Sequence, residues 1–164
     1  MPDSISTEAD LLRCGFDIGY FDKSDIARWA DRWILAIDEP CLQLFDLSFN
    51  RSLDPYDVSK LLRSLGPSES STTAQTTFGF LGLLYEDRRI SAQDAIGQLF
   101  WLVHEPELTD DERSRIYHLD HDCDYAEHEG YGTMSEIEDH LSDFLCPYGE
   151  QLSAKHPDLI ARKS

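Results

Sequence analysis

Apolar residues in this chain recur at three- and four-residue steps, a spacing that restricts it to amphipathic helices buried along one face. Ile26, Trp29, Ala30, Trp33, Ile34 and Ile37 make the first such stripe, with Asp22 or Ser24 as its cap. Asp38-Glu39-Pro40 stops it, and Pro40 suits the first turn of a short second helix through Leu42, Phe45 and Leu47. Asp54-Pro55-Tyr56-Asp57 supplies a cap, a first-turn proline and a carboxylate at the amino end of the dipole. Val58, Leu61, Leu62 and Leu65 follow at helical spacing until Gly66-Pro67.

Phe78, Leu81, Leu84 and Tyr85 predict a helix ending near Asp87, and Ser91 with Asp94 caps another through Ala95, Ile96, Leu99, Phe100 and Val103. Thr109 and Glu112 have capping-box spacing ahead of Ile116, Leu119, Cys123 and Ala126. Gly130 and Gly132 close that helix, and Thr133 or Ser135 opens a last one with Met134, Ile137, Leu141, Phe144 and Leu145 inward and Pro147 at its end. No stretch alternates as a strand does. The expected fold class is all-α, with about seven or eight helices packed irregularly.

The length of 164 residues suits a single domain with one core. The polar segment 67–73 is expected to be a flexible connection inside that domain, and the tail 155–164 is a candidate for disorder. No apolar run approaches the roughly 20 residues that cross a bilayer. Met1-Pro2-Asp3-Ser4 lacks the basic and apolar regions of a secretory signal, so a cytoplasmic protein is expected. Cys14, Cys41, Cys123 and Cys146 are scattered and read as free thiols.

The net charge of −18 opposes binding to nucleic acid or anionic lipid and favours a cationic protein partner. The excess is concentrated: 14 acidic residues stand between Glu107 and Glu150, against Arg113 and Arg115 alone. At 100° per residue, Glu136, Asp139 and Asp143 fall opposite the apolar side of the last helix. On the helix before it, His121, Asp124 and His128, with Tyr117 and Tyr125 beside them, also point outward. A turn at Gly130-Tyr131-Gly132 would join the two rows into one acidic surface. Charged helix faces are commonly just solvated. Here, however, the carboxylates of the last helix repel one another at three- and four-residue spacing, with no lysine between them. The expected partner-binding residues are therefore Tyr117, Asp124, Tyr125, Glu136, Asp139 and Asp143.

His118, His121, Asp122, Asp124, His128 and His140 are of the types that hold zinc. One helix cannot close a tetrahedral site from them, since His121 and His128 lie about 10 Å apart along its axis. Asp124 and His128 with His140 are the best remaining trio, and histidines that simply solvate a helix explain the pattern more economically. HExxH, GxSxG and P-loop motifs are absent, and Gly15 to Gly19 is no dinucleotide fingerprint. Cys41, beside Leu42 and Leu44, reads as core rather than nucleophile. The expectation is a non-enzyme with no cofactor. Trp29 and Trp33 belong to an apolar stripe, while Trp101, if exposed, is suited to an interface.

The run from Asp17 through Gly19-Tyr20-Phe21-Asp22-Lys23-Ser24-Asp25-Ile26 to Trp29-Ala30-Asp31 resembles the helical, acidic immunity proteins of bacterial polymorphic toxin systems. It covers about the first third of the chain. The resemblance implies a cytosolic protein that neutralises a toxin, such as a basic nuclease, by covering its active site. Two other classes compete with it: a small metal-dependent hydrolase using the His/Asp cluster, and an assembly or regulatory adaptor.

Overall fold

The computed structural model describes residues 3–67, 69, 72–128 and 133–160, without the side chains of Glu127 and His128. It is all-helical, with no strand among the described residues. Among the described residues, no helix is long and apolar enough to cross a membrane. The elements are α1 (Asp3–Asp17), α2 (Lys23–Ala36), α3 (Leu42–Ser48), a 3-10 turn (Asn50–Ser52), α4 (Pro55–Leu65), α5 (Ala74–Glu86), α6 (Ala92–Leu102), α7 (Asp110–His128), α8 (Met134–Lys155) and α9 (Pro157–Ile160). They gather into two compact units, Met1–Thr72 with Asp158–Ser164, and Thr73–Pro157. The boundary lies in the segment 67–73 that was expected as a connection inside one domain.

In the first unit, α1 precedes the first helix expected from the sequence. Its buried side carries Ile5, Ala9 and Leu12 but also Asp10, which interrupts the apolar stripe. Asp10 is accommodated because it accepts from the Thr72 amide at 3.2 Å and pairs with Arg13 at 3.1 Å. Gly19, at φ 81°, follows α1 in a left-handed conformation that glycine adopts without a Cβ clash. The turn puts Tyr20 and Phe21 inside, edge to face, with centroids 4.8 Å apart. Asp22 then caps α2 in a box with Asp25.

Two expected inward stripes are corrected here. In α3, Leu44 and Leu47 are buried whereas Leu42 is 72% and Phe45 38% exposed. The packing of α3 on α2 selects the 44/47 side. In α2, Ile26, Trp29 and Ala30 are buried and Trp33 and Ile34 only half-buried. Both indoles donate to Oε2 of Glu8 on α1, Trp29 at 2.7 Å and Trp33 at 3.1 Å, and Arg32 pairs with the same oxygen at 2.6 Å.

The second unit is built on α5 against α8. A Cβ on Gly79 would come within 2.9 Å of the Tyr148 carbonyl, and one on Gly82 equally close to that of Leu145. These glycines let the two backbones approach. The same packing carries α8 through Pro147, which was expected to end it: Gly149 and Leu152 beyond the proline are buried, and the helix runs to Lys155. Pro147 gives no N–H to the Asp143 carbonyl four residues earlier, so that oxygen keeps its capacity to accept. Of the expected α6 stripe, Ala95, Ile96, Leu99 and Val103 are buried, but Phe100 is 39% exposed.

The predicted caps are present at Asp54, Ser91 and Thr133, and Thr109 and Glu112 exchange the reciprocal hydrogen bonds of a box. The four cysteines are free thiols, with Cys14 and Cys123 buried. Of the tail, Lys155 belongs to α8 and residues 157–160 form the helical turn α9, while residues 161–164 lie outside the described residues.

Candidate functional site

The two longest helices, α7 and α8, carry the concentrated charge and pack against each other, and Ile116, Leu119 and Cys123 on one and Ile137, Leu141 and Phe144 on the other are buried. Burial of these stripes leaves most polar residues of both helices outward, with Glu112 as the buried exception. Neither arginine of the segment neutralises a carboxylate among the described residues. Arg113 donates to the carbonyls of Leu108 and Glu105, the latter at 2.8 Å, and so anchors the loop before α7. Arg115 lies over the Phe144 ring, 4.9 Å from its centroid. The arginine–carboxylate pairs at Asp10, Asp17, Asp25 and Glu8 all belong to the first unit.

The expected contact residues are spread over separate parts of this surface. Tyr117 and Asp124 lie on the flank of α7 that faces α6, where the Tyr117 ring meets Phe100 edge to face at 6.0 Å. Trp101 of α6 is 86% exposed. Tyr125 stands at the outer crest of α7, stacked on His121 at 4.3 Å. Asp143 alone of the α8 row lines the groove between the helices, together with Asp122, His118 and Arg115 and without Asp124 or Tyr117. Asp139 and Glu138 lie toward Tyr85 of α5, whose phenol is pushed up by burial and then by the Glu138 and Asp139 charges. Glu136 has a second task, because its Oε2 accepts from the Thr133 amide at 3.3 Å in the α8 capping box.

The groove is about 300 Å³, with Leu119 as its apolar floor and Asp122, Asp143, His118 and His140 along its sides. His118 donates from Nδ1 to the Ser114 carbonyl at 2.7 Å, which leaves Nε2 as the acceptor in the neutral ring. His121 Nδ1 lies 3.6 Å from Asp122, a pair that is ionic when the imidazole is protonated. Arg115 and Asp122 are not among the residues expected at the site. Their spacing with Leu119 (three and four residues either side) places all three on one edge of α7 and was the available signal.

No group of three His, Cys, Asp or Glu side chains among the described residues can hold a metal ion. His128 of the expected trio, and the Gly130-Tyr131-Gly132 turn expected to join the two rows, lie outside the described side chains and residues. What the arrangement can do chemically is accept: exposed carboxylates from two helices stand with imidazoles beside exposed aromatic rings. No protein-family model, no curated protein and no solved structure matches the chain.

Proposed function

We propose that this protein acts by binding a cationic protein through the acidic, aromatic-studded surface of α7 and α8. The observation that carries the reading is the diversion of Arg113 and Arg115 to carbonyls and a ring: in a segment whose sequence holds 14 acidic residues, neither arginine forms an ion pair among the described residues. Like charges held this way cost stability, and a cationic partner would relieve that cost on binding. Lysine and arginine side chains of the partner would meet Asp122 and Asp143 in the groove and, away from it, Asp124 on α7 and Asp139 and Glu136 on α8. Tyr117, Tyr125 and Trp101 would supply the larger contact areas.

The resemblance of residues 17–31 to immunity proteins makes the specific form of this reading the neutralisation of a cationic toxin, such as a nuclease, by covering its active site. Capture of partners from native cytosol at low salt, followed by elution as salt rises, tests it. The expected result is one basic protein released by salt and no longer retained by an Asp139→Lys/Asp143→Lys variant that folds normally. Retention of the same partner with unchanged salt dependence by that variant would defeat the assignment of this surface.

A further inference from the structure

A second surface, in the first unit, has the opposite character. Helices α3 and α4 and the 3-10 turn between them enclose a groove of about 730 Å³. One wall is the exposed side of α3, with Leu42, Phe45 and Asp46, continued by Phe49; the other is Leu53 with Asp57, Lys60 and Leu61 of α4. Leu42 and Phe49 are 72% and 77% exposed, an unusual placement for two large apolar side chains in the same groove. Positions 42, 45, 46 and 49, like 57, 60, 61 and 64, are spaced to line one side of a helix, so each wall is a single helical edge.

The charges bordering the groove indicate what fits it. Among the described residues, Asp46, Asp57 and Lys60 form no ion pair, so both carboxylates remain available beside apolar walls. A second copy of this chain would bring another net charge of −18 toward these carboxylates. We infer that the groove docks an amphipathic helix of a partner protein. Its apolar edge packs on Leu42, Phe45, Phe49 and Leu61, and its flanking lysines or arginines reach Asp46 and Asp57. This surface stands apart from the α7 and α8 assignment and does not depend on it.

The test uses three labelled probe peptides of about 15 residues, long enough for four helical turns. One carries leucines at helical spacing on a lysine background, one has the same leucines on a glutamate background, and one is a scramble of the first. Fluorescence anisotropy with the full chain at about 150 mM salt suppresses long-range attraction to the rest of the acidic surface. The amphipathic lysine peptide is expected to bind about tenfold or more tighter than either of the others. Phe49→Ser should weaken it about tenfold, and Asp46→Asn with Asp57→Asn should weaken it several-fold and flatten its salt dependence. All three positions are exposed, and a thermal melt checks folding. The Asp139→Lys/Asp143→Lys variant should bind this peptide as the unmodified chain does. Equal binding by the Phe49→Ser chain, or equal binding of the glutamate peptide, overturns the inference. So does a concentration-dependent dimer abolished by Phe49→Ser, which assigns the groove to a second copy.

Discussion

The Tyr148 hydroxyl donates to Oε1 of Glu112 at 2.6 Å, tying the middle of α8 to the capping box at the start of α7. Glu112 is 8% exposed and also accepts from the Thr109 amide and hydroxyl and from Gln75. Burial pushes this carboxyl up, but the hydrogen bonds from Tyr148, Thr109 and Gln75 outweigh it and hold the group below its ordinary range. The Tyr148 phenol is pushed up by burial and by the same bond to Glu112.

Because the folded carboxyl titrates below its unfolded value of about 4.3, its contribution is complete above that pH and is lost as acid protonates the folded protein. Denaturant unfolding should therefore give a stability gap between the unmodified chain and Glu112→Gln that is largest near neutrality and closes below about pH 4. Tyr148→Phe should cost about 1–3 kcal/mol at pH 7, the range for a hydrogen bond to a charged group. A gap independent of pH would mean that Glu112 contributes by packing alone.

Gly79→Ala should destabilise the second unit by about 1–3 kcal/mol, because the added methyl meets a backbone carbonyl that cannot rotate away. Gly97→Ala in α6 meets nothing within 4 Å and should stabilise by about 0.5–1 kcal/mol through helix propensity. Opposite shifts in the midpoint of thermal unfolding are the expected readout for the pair.

Arg88 follows α5 with φ 55°, in a left-handed conformation where its amide bonds to the Tyr85 carbonyl. A side chain there costs about 1 kcal/mol relative to glycine. Arg88→Gly should raise stability by about that amount, and a loss of stability would show that the arginine side chain contributes more than the backbone strain removes.

Glu8 holds two of the three tryptophans, and Trp101 is the exposed third. In a Trp101→Phe background, emission should report only Trp29 and Trp33. Glu8→Ala should then shift it to longer wavelength and lower stability by about 1–3 kcal/mol, since two indole donors and Arg32 lose their shared acceptor. An unshifted spectrum would show that the indoles are held by packing and not by the carboxylate.

Much of the helical plan is legible in the sequence, because caps are local chemistry. Asp22, Asp54, Ser91, Thr109 and Thr133 each sit two or three residues before the amide they satisfy, and the structure uses all five. Helix α1 is less visible because Asp10 breaks its stripe, and what makes a buried carboxylate acceptable is the amide of Thr72, 62 residues away. The continuation of α8 through Pro147 likewise depends on Gly79 and Gly82, which lie on another helix.

By itself the sequence determined the all-helical class, the position of most caps and the concentration of charge between residues 107 and 150, all of which follow from neighbours within a turn or two or from simple counting. Only the tertiary structure decided how each helix is rotated about its axis. A short helix such as α3 has apolar residues on several sides, and period alone does not choose between Leu44 with Leu47 and Leu42 with Phe45. Packing on α2 made that choice and left Leu42 and Phe45 facing a groove. The same rotation about α7 set Asp122 rather than Asp124 against Asp143, because burying Ile116, Leu119 and Cys123 allows only one edge of the helix to face its neighbour.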